Sequence, residues 1–373
     1  MPVCPPVSFG PGGFFYTLGG KMEQKTYKTC RQQLSKLRSR GMVIKSGSQS
    51  SRAMRILEQE NYYNVINGYK ALFLAKEATD VADEEYKEGT TFDEVYALYC
   101  FDRDIRTIYL KFLLKLENSL KTVIAREFSS KYGHDNYLKL ANFQSNASTE
   151  QSELKYIAKR HKLDITKDID EIQQISAEQN TEAVIKLIGD IHQELARQMG
   201  KHHNVVTHYM TQHGYIPLWV LVNVLTFGKI TNFYLHMKLQ DRQQVAKFFG
   251  VSVNELHKYM NMLGMARNKC AHDERFFNMK FRKSLHTKSI KNFKLLGITP
   301  KPDGSYVSGT NDAYAIAIIF AILLSKTDLK EFISSMKDAF AKLDKKLTTI
   351  TVEDVMKEMG YHKDWQNLVK LKN

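Results

Sequence analysis

The chain lacks the short motifs that mark several common enzyme classes, and it has few residues that interrupt helices. No Gly-x-Gly-x-x-Gly run, no P-loop and no Gly-x-Ser-x-Gly elbow occurs in its 373 residues. The sequence therefore offers no motif for a dinucleotide enzyme, a P-loop NTPase or a serine hydrolase. With seven prolines and 20 glycines, long helices are permitted along most of the chain.

Cysteines are few and widely spaced. The four of them, Cys4, Cys30, Cys100 and Cys270, form no Cys-x-x-Cys pair, so neither a zinc knuckle nor a redox motif is indicated. A chain of this length without a secretory signal is expected to keep them as reduced thiols. We therefore expect a cytoplasmic protein.

Neither a signal peptide nor a membrane-spanning segment is predicted. Residues 1–22 lack a basic region ahead of an apolar run, and their Pro- and Gly-rich composition predicts a disordered extension. Met22 is an alternative to Met1 as the natural start, because helical patterning begins just after it. The best candidate for a span, Ala313–Leu324, has twelve residues, whereas a spanning helix needs roughly 20. A buried core helix explains it better, and no membrane partner is expected.

Acidic residues are outnumbered by basic ones. The 54 Lys and Arg residues against 40 Asp and Glu residues give a formal net charge of +14. Such an excess suits a polyanionic partner, most simply a nucleic acid. An anionic membrane surface is the alternative.

Apolar residues recur at helical spacing nearly throughout, which predicts an all-α fold. Predicted helices cover residues 23–40, 50–60, 92–130, 239–250 and 252–271, and residues 217–239 are predicted as two helical pieces joined near Gly228. One hairpin is predicted around residues 302–307. Thr90 or Thr91 is predicted to cap the 92–130 helix, and Ser252 with Glu255 is predicted to form a capping box at the start of the 252–271 helix. The predicted organisation is an N-terminal extension over 1–22, a helical region over 23–90, a helical domain over 91–345 with an inserted segment at about 140–213, and a helical tail over 346–373.

Three charged residues fall on or beside the apolar stripe of the long 92–130 helix. Asp102, Arg106 and Glu117 each need a partner there, since an unpaired charge against a core is costly. Asp102 and Arg106 are four residues apart and are able to pair with each other. Such a pair serves either the structure alone or the support of a catalytic pocket.

The stretch "RNKCAH", residues 267–272, places an arginine and a histidine at the end of a predicted helix. Arg267 lies eleven residues after Leu256, which brings it to within about 20° of the same apolar stripe. A guanidinium there needs a carboxylate partner or an anionic ligand. His272 would lie well around an unbroken helix, so the two meet either because the helix ends or kinks near Ala271 or across a symmetric dimer axis.

These residue types match RNA cleavage by internal transesterification. An imidazole is able to accept or donate a proton at neutral pH, and a fixed guanidinium neutralises charge on the phosphate oxygens. The reaction requires no metal and no cofactor. Asn268 is expected to hold the histidine geometry or a phosphate through its amide.

A basic segment follows the motif. It is predicted to form an RNA-binding groove that contains Arg275, Lys280, Arg282, Lys283, Lys288 and Lys291. Phe276, Phe277 and Phe281 interleave with these cations. They are either stacking platforms for bases or core residues.

A second Arg-x4-His match, "RQMGKH" at residues 197–202, shows that the spacing alone is a weak signal. Its surroundings are polar, and we expect it to be non-catalytic. The nearby His202, His203, His208 and His213 raise the question of a metal site. They lack the acidic partner of a His-Glu-x-x-His helix, so no metal is expected.

The sequence resembles known families at these points. "RNKCAH" matches the Arg-Asn-x-x-x-His motif of HEPN ribonuclease domains. Over about residues 25–345 the chain resembles bacterial abortive-infection proteins of the AbiD/AbiF type, through "INGYK" (66–70), "FDRDIR" (101–106), "PLWVLVNVLTFGKITNFY" (217–234) and "ARNKCAHDERFFN" (266–278). Asn223 departs from that pattern, where an acidic residue is expected.

The resemblance implies an all-α HEPN-type bundle whose main helices cover about 92–130, 217–238, 252–272 and 312–325. It also implies a metal-independent endoribonuclease of phage defence, with Arg267 and His272 catalytic and Asn268 accessory. A restraining non-coding RNA and a homodimer are the expected partners. A non-catalytic RNA-binding scaffold is the main alternative, and a DNA-binding helical protein is a weaker one.

Overall fold

A computed structural model describes residues 26–79, 82–147 and 151–372. The predicted extension over residues 1–22 and the alternative start Met22 lie outside these segments. Within them the fold is all-α, with one small two-stranded sheet. The helices are α1 (Cys30–Ser39), α2 (Ser48–Gln59), α3 (Phe92–Tyr132), α4 (Gln151–His161), α5 (Ile169–Gly200), α6 (Asn204–His213), α7 (Leu218–Leu221), α8 (Phe227–His236), α9 (Leu239–Phe248), α10 (Val253–Ala271), α11 (Ala313–Leu323), α12 (Lys326–Asp344) and α13 (Val352–Glu358).

Local capping residues decide where the predicted helices begin. Thr29 forms a capping box with Gln32, so α1 starts at Cys30 and not at residue 23 as predicted. Thr91 forms another with Glu94 at the start of α3, and this confirms the predicted cap. Gly133, with φ +86°, ends α3 after 41 residues.

The apolar segment over residues 217–239 is broken at a different point from the one predicted. Its two pieces, α7 and α8, are separated by residues 222–226, whereas Gly228 lies inside α8. The second piece starts there because Thr226 accepts a hydrogen bond from the backbone N–H of Lys229 at 3.3 Å. Asn223 donates to the carbonyls of Trp219 and Val220, at 3.2 and 3.3 Å.

The strands also differ from the prediction. The hairpin expected around residues 302–307 is a single antiparallel bridge between Pro300 and Tyr306. The two-stranded sheet instead pairs β1 (Leu74–Lys76) with β2 (Glu85–Tyr86). Strands this short have no alternation of apolar and polar residues long enough to be read from a sequence.

The core forms where α10 packs against α3, α8 and α11, and where α12 also packs against α3. Helix α11 is buried over Ala313–Ala321, as its apolar composition predicts. The C-terminal residues close this core, since Trp365 and Leu368 are buried and their segment contacts α11 and α12. Among the helices of the described segments, none combines the length and the apolar character that crossing a bilayer requires.

Residues 151–213, within the segment predicted to be inserted, contain helices α4 to α6. Residues of α4 and α5 form a small apolar cluster of their own: Leu154, Ile157, Ala158 and Ile172. Helix α5 is tied to α8 by Glu194, whose Oε2 lies 3.2 Å from Nζ of Lys229. Hydrogen bonds from Arg197, and further ones from Gln198 and Lys229, lower the pKa of Glu194 to about 2.

Candidate functional site

Helix α10 carries the Arg-x4-His motif, and its sequence explains its position. Ser252 and Glu255 form the predicted capping box, and the apolar stripe that includes Leu256 and Leu263 is buried. Arg267 continues this stripe towards α3, as predicted. Its side chain remains 34% exposed, so it lies at the edge of the core and not inside it.

The partner of Arg267 is Glu117 of α3. The Nε atom of Arg267 lies 3.4 Å from Oε2 of Glu117, and the other oxygen of the same carboxylate lies 2.8 Å from Nζ of Lys121. Two cations thus share one anion, which leaves the cluster with one excess positive charge. The side chains of Glu117 and Lys121 are only 7% and 9% exposed, so Arg267 is the member that brings this charge to solvent.

His272 is the C-cap residue of α10, and the helix reaches it without a kink. Its backbone N–H donates to the carbonyl of Asn268 at 3.0 Å, and its side chain is exposed. Arg267 and His272 are therefore about 140° apart around the helix axis. No hydrogen bond or ion pair joins them in the described segments. The helix does end at Ala271, which is one of the arrangements considered from the sequence, but this end does not bring the two side chains into contact within one chain.

Asn268 follows Arg267 on α10 and contacts it. Its Oδ1 is 3.5 Å from a terminal nitrogen of Arg267. Asn268 also lines a cleft between α8 and α10, together with His257 and Asn261. His272 lines a different cleft, here called the His272 cleft, which includes Tyr63, Asn64, Asn67, Arg275 and Lys280.

The predicted pair of Asp102 and Arg106 forms, with its atoms 2.6 Å apart. Asp102 is fully buried and accepts further hydrogen bonds from the hydroxyl of Tyr69 at 2.6 Å and from the backbone N–H groups of Phe276 and Phe277, at 3.1 and 2.7 Å. Burial acts to raise the pKa of the Asp102 carboxyl, and Arg106 and these donors act to lower it. The pair thus holds the chain just after the motif.

Arg106 extends this support to the turn that contains His272. Its guanidinium binds the carboxylate of Asp273 and donates to the carbonyl of Glu274 at 3.3 Å. Asp273 has φ +57°, a left-handed conformation that glycine usually occupies after a helix. The sequence interpretation missed Asp273 and Tyr69, because both contacts join residues far apart in the chain.

The predicted RNA-binding cations lie in different parts of the surface after α10. Arg275 and Lys280 line the His272 cleft, whereas Lys288 and Lys291 line another cleft. Arg282 and Lys283 are exposed and line neither of them. The side chains of Phe276, Phe277 and Phe281 are buried. They are therefore core residues and not stacking platforms for bases.

The second Arg-x4-His match has a different environment. Arg197 is paired with Glu194, which also binds Lys229, and so belongs to the contact between α5 and α8. His208 and His213 instead contact aromatic rings of their own segment. In the part of the chain that the structure describes, no group of three or more His, Cys, Asp or Glu residues is arranged to hold a metal ion.

These observations define an all-α protein in which a buried ionic network supports an exposed helix end. The chain belongs to the family of Abi-like proteins, whose model matches residues 55–278, more than half of its length. That match contains α3, α10 and the whole network around Asp102. Membership indicates a role in abortive infection, a form of phage defence. Comparisons with curated proteins and with solved structures found no match.

Proposed function

We propose that this protein is a metal-independent endoribonuclease of a bacterial phage-defence system, and that Arg267 and His272 carry the reaction. The observation that supports this most is the charge of the cluster around Glu117. Its excess positive charge is presented to solvent by Arg267, next to the amide of Asn268. A phosphate is the anion that such a half-exposed guanidinium binds best in a nucleic-acid substrate.

The chemistry follows from the residue types. The ribose 2′-hydroxyl loses its proton to a base and attacks the adjacent phosphorus, and the bond to the 5′-oxygen breaks. The products are a 2′,3′-cyclic phosphate and a 5′-hydroxyl, so one proton is accepted and one is donated. An imidazole is able to perform either transfer, and the guanidinium stabilises the charge on the non-bridging oxygens.

A homodimer is part of the proposal. In one chain Arg267 and His272 lie on different sides of α10. A two-fold axis near the end of α10 would bring the Arg267 of one protomer to the His272 of its partner. The exposed face of α10 offers a surface for this packing, with Met265 44% exposed beside Asn261 and Asn268 in one cleft.

A bound non-coding RNA is proposed to restrain the enzyme until infection. The net charge of +14 supports RNA affinity beyond the reacting phosphate. The exposed Arg282, Lys283, Lys288 and Lys291 supply cations at a distance from the His272 cleft. Occupation of this surface would compete with substrate or with pairing of the chains.

The test is cleavage of RNA by purified protein, with end analysis for cyclic phosphates. His272→Ala and Arg267→Ala are each expected to lower the rate by about 10²–10⁴-fold, as is typical for loss of a general acid or base. His202→Ala is the matched control, because it removes the exposed histidine of the other Arg-x4-His match. Equal rates for wild type and His272→Ala would contradict the assignment.

Mixing the two inactive variants tests the dimer. If each site takes its arginine from one protomer and its histidine from the other, half of the sites in a mixed dimer are intact. Random exchange of equal amounts then restores about a quarter of the wild-type rate, by the statistics of isologous pairing. Absence of any recovery after confirmed subunit exchange would contradict a site shared between protomers.

A non-catalytic RNA-binding scaffold is the second candidate. It is favoured by one observation: Arg267 already faces a carboxylate, and Asn268 and His272 line separate clefts. A scaffold predicts salt-sensitive RNA binding without cleavage. Binding that survives in wild type, His272→Ala and Arg267→Ala alike, with intact RNA in each case, would support it over the enzyme.

A further inference from the structure

The His272 cleft has a second wall, formed by a short turn far from the motif in sequence. Residues Tyr63–Asn67 form a single π-helical turn. Such turns are rare in proteins, and those that occur are often found at functional sites. Tyr63, Asn64 and Asn67 of this turn line the cleft together with His272. The N-terminal region and the end of α10 therefore share one surface.

The three side chains of the turn are presented to solvent. Tyr63 is 69% exposed, and Asn64 and Asn67 are also exposed. None of the three side chains makes a hydrogen bond within the described residues. An aromatic ring and two free amides next to His272 form a surface suited to a planar, hydrogen-bonding ligand.

The turn itself is held firmly. Val65 and Ile66 are fully buried, so the opposite side of the turn is anchored in the core. A Cβ atom at Gly68 would lie 2.6 Å from the carbonyl oxygen of Asn64, so the turn requires glycine at this position. The guanidinium of Arg275 donates to the carbonyl of Gly68 and ties the turn to the segment after α10.

The cleft continues into a basic pocket, because Asn67 lines both. The charged residues that line this pocket are four cations and one carboxylate: Lys28, Lys36, Arg40, Lys70 and Glu84. Glu84 binds Arg40 and Lys70. Lys28 and Lys36 form no ion pair with any described residue. This positive surface favours a ligand with several negative charges.

We infer that the 63–67 turn binds an unpaired RNA base next to the phosphate at His272. Tyr63 stacks on the base, the amides of Asn64 and Asn67 bind its edge, and the ribose-phosphate chain continues over Asn67 towards Lys28 and Lys36. Stacking on an aromatic ring and hydrogen bonding to amides are the usual means of binding unpaired bases in RNA. The inference rests on the proposed function for its ligand, and it assigns single-stranded RNA as the substrate class.

The test uses a short single-stranded RNA with 2′-O-methyl riboses, which is unable to undergo the cleavage reaction, and with one fluorescent 2-aminopurine base. Stacking quenches this base, so its emission reports the contact with Tyr63. Tyr63→Ala is expected to remove the quenching and to weaken binding about 5- to 150-fold, the range that loss of one stacked base implies. Tyr63→Phe keeps the aromatic ring and is expected to retain both the quenching and the binding affinity.

Two further variants make the result specific. Tyr156→Ala removes a tyrosine of similar exposure, 64%, on α4 and is expected to bind like wild type. Asn64→Ala combined with Asn67→Ala is expected to keep the quenching but to reduce the difference in affinity among probes that carry different bases. Circular dichroism checks that each variant is folded.

The outcomes separate this inference from the proposed function. If wild type cleaves RNA and His272→Ala does not, while Tyr63→Ala binds and quenches like wild type, the base site is wrong and the nuclease stands. If no protein cleaves RNA but quenching still depends on Tyr63, the base site stands and the nuclease is wrong. Failure of wild type to bind the probe at all would overturn the inference.

Discussion

Replacing Asp102 with alanine removes the centre of the network that supports the end of α10. The carboxylate accepts hydrogen bonds from Tyr69, from Arg106 and from two backbone N–H groups, and it is fully buried. In the variant, the guanidinium of Arg106 stays almost entirely buried while its only buried anionic partner among the described residues is gone. Asp273, the remaining anion at Arg106, is 62% exposed and is a weaker substitute.

The expected loss follows from these contacts. Removal of one partner from a buried ion pair costs about 3–5 kcal/mol in the free energy of unfolding, because the other charge is left uncompensated. This cost is a large share of the whole free energy of unfolding of a protein domain, which is about 5–15 kcal/mol. Asp102→Asn keeps one acceptor oxygen, so its cost is expected to be smaller than that of Asp102→Ala.

The assay is urea unfolding followed by circular dichroism and by tryptophan fluorescence. Glu331→Ala is the control, because it breaks a pair with Lys111 in which both side chains are about half exposed. Its cost is expected to stay below about 1 kcal/mol. If Asp102→Ala costs no more than Glu331→Ala, the network does not hold the turn, and the account of how His272 is positioned is refuted.

Three further predictions concern charge. Glu194→Gln is expected to destabilise the protein at neutral pH. Because the folded pKa of Glu194 is lowered from 4.5 to about 2, its stabilisation is complete above pH 4.5 and is lost as the pH falls towards 2, which thermal unfolding across that range measures. Glu117→Gln raises the net charge beside Arg267 and is expected to tighten RNA binding at low salt, as measured by fluorescence anisotropy. Replacing Lys288 and Lys291 with alanine is expected to reduce the slope of log K against log salt by about 1.4 for single-stranded RNA.

Each of these predictions has a result that contradicts it. A destabilisation by Glu194→Gln that is as large at pH 2 as at pH 7 would show that charge is not its cause. Weaker RNA binding by Glu117→Gln at low salt, in a folded protein, would mean that Arg267 does not face the RNA. An unchanged salt slope in the double lysine variant would remove Lys288 and Lys291 from the RNA surface.

The sequence predicted the contacts that join residues close together in the chain. The predicted cap, which falls on Thr91, the capping box at Ser252 and the pair of Asp102 and Arg106 all join residues three or four positions apart, and all are present. Helical periodicity also predicted the all-α fold and the direction of Arg267. Such features are readable because the spacing along a helix by itself decides which side chains meet.

Local sequence patterns were less informative where the same residues are compatible with two different structures. The break between α7 and α8 depends on a cap at Thr226, and the glycine chosen from the sequence lies inside the second helix. Phe276 and Phe277 suited either a base-stacking surface or the core, and both are buried, Phe276 against Tyr109 and Phe277 against Tyr69. Composition does not decide between a surface and a core position, because an apolar side chain is able to pack against a bound base or against other core residues.

Tertiary structure alone decided which distant residues meet. Glu117 was known to need a partner, but its pairing with Arg267 depends on the packing of α3 against α10, across 150 positions of sequence. In the same way, Arg106 reaches Asp273, and the turn at Tyr63 borders the cleft of His272. The strength of an ion pair depends on the distance between its charges in space and on their burial. Within one helix, the number of residues between two side chains determines their distance in space. Between two helices, it does not.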